Sequence, residues 1–392
     1  MASRVADVTR HLRVVRPGER AKTRETSRVV LILIGATAAL TAIGLIMVLS
    51  ASSVSSYARY GSSFLFFKRQ AIYAIVGTGA LLLTSRIRYV AWQRLSVPLL
   101  AITGILLVLV LHPSAGTVAG GSARWIALGP VTIQPSELAK LAMVAFTATV
   151  VTRKWKVLKD PVHLLVPLGL PLALVCGLIM LQPDLGTTLI VAGTLLMLMF
   201  VSGLEARYLL GICFSGALLG LALIMAEGYR RARFFAFLHP LADRTNEGYQ
   251  LFQSLVALGS GGWLGVGLGQ SRQKWMYVPN AHTDFIFSIL GEELGLIGEI
   301  VVLALFGALI YTGIRIAMQA PDGFGRLLAG GIVSWLGLQT LVNLGAVTGL
   351  LPITGVPLPL VSFGGSSLVV TLAAIGILVN IGRSPPSRRK PE

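Results

Sequence analysis

The chain has 392 residues, 54% of them hydrophobic and only 12% charged; soluble domains carry about a quarter charged residues, so this one has too few polar groups to cover a water-facing surface. Its formal net charge of +17 would suit nucleic acid. The basic residues, however, lie mostly in short loops and at the two ends, as orientation signals facing an anionic leaflet do, which argues for membrane lipid and against a nucleic-acid partner.

Residues 1–26 hold Arg4, Arg10, Arg13, Arg16, Arg20, Lys22 and Arg24 without apolar periodicity and read as a basic, disordered tail. Residues 27–382 read as one all-α, polytopic membrane domain. A helix needs about 20 apolar residues to cross the hydrocarbon core, and candidate spans lie at 27–50, 66–84, 95–111, 135–151, 162–181, 185–201, 208–226, 285–316, 326–350 and 366–381. Residues 383–392 form a second basic tail. About ten spans put both tails and the basic connections 86–94 and 153–159 on one side, the cytoplasm. The first run is too long for a signal-peptide core and is kept as a helix. Cys176 and Cys213 fall inside apolar runs and show no disulfide or metal spacing.

Two connections break the pattern, and both fall on the external side. In 113–134, Arg124 and Trp125 stand just ahead of span four; Trp125 suits an interfacial anchor, and Arg124 a phosphate or a sugar. The much longer 227–283 carries Arg230, Arg231, Arg233, Arg244, Arg272 and Lys274. Either a long loop escapes the orientation rule, or these cations bind an anionic ligand.

Charge within apolar surroundings marks further candidates, since a lone ion near the bilayer centre costs at least about 2.5–3.5 kcal/mol. Glu137 and Lys140 share a helix face and can pair, fixing insertion depth or contacting substrate. Gln182-Pro183-Asp184 reads as a helix cap in a tight turn. Glycines 259, 261, 262, 265, 267 and 269 lack the context of a nucleotide loop. Asp284 sits where polar loop meets apolar helix, as a cap or as a general base, with His282 two residues before it. Glu292, Glu293 and Glu299 follow in a span that reads as a short interfacial helix and then a crossing one. Residues 362–367, including Ser366, read as non-helical backbone whose amides could hold an anion.

The runs 134–140, Gln182-Pro183-Asp184-Leu185-Gly186-Thr187, Ala281-His282-Thr283-Asp284-Phe285-Ile286-Phe287 and 359–367 resemble the SEDS family (shape, elongation, division and sporulation) from about residue 29 to 381. The runs 267–274 and 291–295 look more like its division branch than its elongation branch. Phe363, a position often Tyr in relatives, is a mild departure. The resemblance implies ten helices with both termini cytoplasmic, in a bacterial cytoplasmic membrane, and a peptidoglycan glycosyltransferase joining lipid II into a nascent glycan strand. It implies Asp284 as the essential carboxylate, Lys140 and Trp125 lining a cavity beneath the large loop, and a class B penicillin-binding protein and other division proteins as partners. Arg124, Arg230, Arg231, Arg233, Arg272 and Lys274 are then expected to face the lipid diphosphate, with Glu137, His282 and Ser366 as further substrate contacts. A divalent cation, Mg or Mn, is open at Asp284, although no ligand cluster shows it. A lipid II flippase and a non-catalytic division scaffold are the rival readings.

Overall fold

Backbone groups in hydrocarbon find no water and must satisfy their hydrogen bonds internally. In the computed structural model every expected apolar run is accordingly a helix. The structure describes residues 17–112, 116–119, 122–129, 131–154, 161–226, 228–238, 248–275, 277–278 and 281–384. The helices are α1 (Pro17–Tyr60), α2 (Leu65–Arg86), α3 (Tyr89–Leu109), α4 (Pro135–Arg153), α5 (Pro161–Met180), α6 (Leu185–Val201), α7 (Ala206–Ala226), α8 (Gly228–Leu238), α9 (Tyr249–Ser260), α10 (Ile286–Gln319), α11 (Gly323–Val347) and α12 (Gly365–Arg383). Among the described residues, six of them (α1, α3, α7, α10, α11 and α12) are long and apolar enough to cross a membrane by length and composition.

Two expectations need correction. The first helix starts at Pro17, so the last ten residues of the expected disordered tail are helical; residues 1–16 and 385–392 of the two tails lie outside the described residues. The all-α reading omits a small antiparallel sheet between α3 and α4, formed by β1 (Gly116–Ala119), β2 (Ser122–Leu128) and β3 (Val131–Ile133) in the order β1-β2-β3. In it Trp125 pairs with Thr117 and Ile126 with Ile133. The long 227–283 connection contains α8 and α9.

Packing follows small residues. α12 lies along α2, and Thr84 Oγ1 donates to Ala373 O at 2.8 Å, the close approach that glycine and threonine allow between membrane helices. The expected break in the eighth run is real. Gly295, at φ +65°, interrupts α10, and the backbone groups so released are taken by the loop before it. Val266 N donates to Glu292 O (3.0 Å) and Gly267 N to Glu293 O (3.1 Å), while Leu296 N donates to Gly262 O (2.9 Å) and Ile297 N to Trp263 O (3.3 Å). Backbone groups on both sides of the kink are thus paired with the loop.

Contacts gather the α1–α2 turn, the sheet, the α5–α6 turn, the 261–285 segment and the 351–364 segment at one end of the bundle, the loop end. Thr132 N donates to Tyr73 Oη (2.9 Å), and Ser366 Oγ accepts from Gln134 N (2.9 Å) and donates to Thr132 O (3.0 Å), which bolts the sheet to α2 and α12.

Gly44 of α1 lies against the 357–363 segment, where a Cβ would sit 2.5 Å from Leu360 O and 2.7 Å from Val361 Cα. Gly44→Val is expected to cost about 1–3 kcal/mol through overpacking. Gly35→Ala, with open space around it, is expected to leave stability unchanged or slightly raised. Thermal unfolding of the two variants in detergent compares them; equal melting temperatures would contradict this packing.

Candidate functional site

Asp284 lies in a turn that enters α10. The helix N-cap is Phe285, without a side-chain cap, and Asp284 stands one residue before it. Its main chain is clamped instead: Asn343 Nδ2 of α11 donates to Asp284 O (2.8 Å) and to Val356 O (2.8 Å). Thr283 Oγ1 donates to Asp284 Oδ1 at 2.8 Å and turns the half-buried carboxylate. Phe285 is 1% exposed and anchors the turn in the core.

The neighbouring 351–364 segment closes the same site. Phe363 N donates to His282 O at 2.9 Å, and Gln70 Nε2 of α2 donates to Ser362 O at 3.1 Å. Leu360 holds φ +65° while almost fully buried, a strained conformation for a branched side chain, persisting where surrounding structure over-determines it. His282 packs in a three-ring cluster, tilted against Phe66 (4.7 Å between ring centres) and Phe363 (5.6 Å), which also meet each other edge-on (5.1 Å). Burial, and secondarily the positive charge of Arg59, push its pKa down from 6.5 to about 4. This environment favours the neutral ring over the cation at pH 7.

Lys140 and Glu137 pair as expected, at 2.7 Å, with both side chains 2% exposed. Lys140 Nζ also donates to Gln339 Oε1 (2.8 Å) and lies 5.2 Å above Trp335, while Gln339 Nε2 donates to Pro357 O (2.8 Å). Lys140 borders a small cavity shared with Met143, Thr147, Val191 and Thr194. It is thus wired to the 351–364 segment through Gln339 and is itself inside the bundle.

Two carboxylates organise the loop. Glu292 accepts from Ser271 Oγ, Arg272 N (3.0 Å) and Gln273 N (3.3 Å). Glu293 accepts from Ser50 Oγ (2.6 Å) and pairs with Lys274 Nζ at 3.5 Å. Both are buried. Lys274, expected to face the diphosphate, is turned inward and neutralises Glu293.

Arg124 is likewise engaged, donating to Gln182 O (3.0 Å) and Pro183 O (2.6 Å) 3.9 Å from Asp184, and it pins β2 to the turn where Asp184 caps α6 through Thr187 N (3.1 Å). Trp125 is half-buried in β2, and the Ser366 hydroxyl serves the sheet–α12 junction. Arg231 and Arg272 are exposed. The side chains of Arg230 and Arg233, and all of Arg244, lie outside the described residues.

Gln70, Gln339 and Asn343 hold the site together and escape the sequence reading. Amide side chains within otherwise apolar runs were the available signal. Among the described residues no group of three His, Cys, Asp or Glu comes together to hold a metal ion. Asp284 and the Thr283 hydroxyl are too few for a resident metal centre, whereas Mg²⁺ shared with substrate phosphates needs only one or two carboxylates.

A family model described as "Cell cycle protein" (FtsW, RodA and SpoVE) matches residues 30–386. A Geobacter metallireducens protein named probable peptidoglycan glycosyltransferase FtsW is 44% identical over 358 residues, 91% of this chain and 96% of its own. Stage V sporulation protein E of Bacillus subtilis is 44% identical over 362 residues, 92% and 98% of the two chains. Among solved structures, a chain from a peptidoglycan synthase complex that coordinates polymerization and crosslinking superposes with a TM-score of 0.75 at 30% identity, covering 90% of this chain and 96% of that one. Rod shape determining protein RodA of Thermus thermophilus superposes at 0.66 and 29% identity, over 90% and 95%.

Two outcomes follow. Lys274→Met leaves Glu293 as a buried charge without its cation and is expected to cost about 3–5 kcal/mol, against less than about 0.5 kcal/mol for Arg272→Ala at the exposed surface; thermal unfolding distinguishes them, and equal losses would remove the ion pair from the loop's support. His282, with its folded pKa below the unfolded value, binds fewer protons folded than unfolded between about pH 4 and 6.5. Its contribution to stability is complete above about 6.5 and declines as pH falls to about 4, a loss that His282→Gln should abolish in melting curves taken across that window.

Proposed function

We infer the activity from one premise: the chain belongs to the SEDS family of cell cycle proteins, on its FtsW-like side. The proposal is a peptidoglycan glycosyltransferase that joins lipid II units into glycan strands during division. The loop end would face outward and both termini the cytoplasm. The observation that carries it is the placement of Asp284, a half-buried carboxylate at the entrance of α10, turned by Thr283 and fixed along its main chain by Asn343.

In this reading Asp284 removes the proton from the 4-hydroxyl of the acceptor sugar as that oxygen attacks the donor's anomeric carbon. The bond to the lipid diphosphate breaks, and the diphosphate leaves with the electron pair. A single displacement converts an α-linked donor into a β-linked strand. Diphosphate needs no acid to depart, so one carboxylate suffices, and a positioned base contributes about 10²–10⁴-fold. A divalent cation shared between Asp284 and the diphosphate would supply charge neutralisation there. The likeness to a chain of a peptidoglycan synthase complex supports a class B penicillin-binding protein as the partner that crosslinks the product.

Purified Asp284→Asn protein, alone and with that partner, is expected to lose about 10²–10⁴-fold in polymer formed from labelled lipid II, sized on a gel, with its melting temperature retained. Undiminished polymer would remove Asp284 from the mechanism. Transfer of labelled lipid II across vesicles by a variant that makes no polymer would favour transport instead.

A further inference from the structure

Two cations expected to receive the substrate's phosphates, Arg124 and Lys274, are committed elsewhere, to the carbonyls of the α5–α6 turn and to Glu293. A different set stands beside the site. Arg59 occupies the last turn of α1, and Lys68 and Arg69 the first turns of α2. All three are exposed, and among the described residues none has a carboxylate within ion-pair distance. The placement of two of them works against ordinary stability: Lys68 and Arg69 lie towards the positive end of the α2 dipole, whose first turn holds no acid, whereas Arg59 suits the C-terminal end of α1. By the topology read from the sequence the corner is also external, where short connections avoid cations.

The corner is joined to the catalytic turn through rings. Tyr60 meets Phe66 edge-on at 5.9 Å, and Phe66 lies 4.7 Å from His282, two residues before Asp284. Arg69 follows Phe66 by three residues, on the neighbouring part of the same face, and precedes Gln70, which binds the 362–364 backbone. The charge of Arg59 is felt at His282. Exposed Tyr57, Tyr60 and Phe64 around the corner have the composition of a membrane-interface belt, the depth at which lipid phosphates lie.

We propose that Arg59, Lys68 and Arg69, at the α1–α2 corner, form a subsite for the diphosphate of a polyprenyl-linked substrate. This rests on the lipid-diphosphate chemistry proposed above. The shared phosphate chemistry would also attract bulk anionic phospholipid, so the experiment separates the two. Binding of radiolabelled undecaprenyl diphosphate is measured on the full chain in phosphatidylcholine nanodiscs, with and without phosphatidylglycerol. Arg59→Ala and Arg69→Ala are each expected to weaken binding about tenfold or more, the scale of one charge-assisted contact. Arg69→Lys should recover part of the loss, and phosphatidylglycerol should not compete. Wild-type binding should also weaken with added salt, a readout that needs no variant to fold. Unchanged affinity in the folded variants, salt-insensitive binding, or equal competition by phosphatidylglycerol would overturn the subsite. Polymer made by Asp284→Asn and undecaprenyl diphosphate bound by Arg59→Ala and Arg69→Ala are separate measurements, so a failure of the catalytic reading and a failure of this one give different results.

Discussion

Non-helical backbone at the end of a membrane bundle must find hydrogen-bond partners inside the protein, and the arrangement of this site follows from how that is met. The 281–285 turn and the 351–364 segment are both irregular. Four of their carbonyls and the Gly364 amide are taken by Gln70 of α2 and by Gln339 and Asn343 of α11. The break at Gly295 is handled in the same way, with loop backbone replacing the missing turn of α10. Fixing these segments is what gives Asp284 one position relative to the bundle.

Charge is governed by the same economy. A buried ion survives when it is paired and hydrogen-bonded, and the described buried ions obey this: Glu137 with Lys140, Glu293 with Lys274, Glu292 with the Ser271 hydroxyl and two amides. These pairs consume cations that a reading of charge along the chain assigns to substrate. Among the described residues, Arg59, Lys68 and Arg69 at the exposed corner between α1 and α2 are cations that none of these pairs consumes. The two kinds of basic residue, structural and available, differ by burial and by partner, neither of which a linear sequence displays.

Some of the site was legible from residue type and position. Asp284 stood out because a carboxylate beside a long apolar run has few ordinary explanations there. The Glu137–Lys140 pair followed from a spacing of three on one helix, and the interruption of the eighth run from its glycines. Others were not legible. His282 looks like a cation or a base in sequence, but its state is set by Phe66 and Phe363, more than two hundred and about eighty residues away along the chain. Ser366 looks like a ligand contact, yet its hydroxyl is used by Gln134 and Thr132. The strands between α3 and α4 were missed because short strands with mixed side chains carry no strong period.

By itself the sequence determined the solvent, the helical class, the approximate place of each apolar run and the carboxylate most worth testing, because hydrophobic length, helix spacing and the cost of buried charge are local properties of the chain. The tertiary structure alone decided which polar side chains are spent on holding irregular backbone and which stay available, the tie between Lys140 and Pro357 through Gln339, and the neutral state of His282. Those outcomes depend on residues brought together from distant helices, and burial and pairing exist only once the helices have packed.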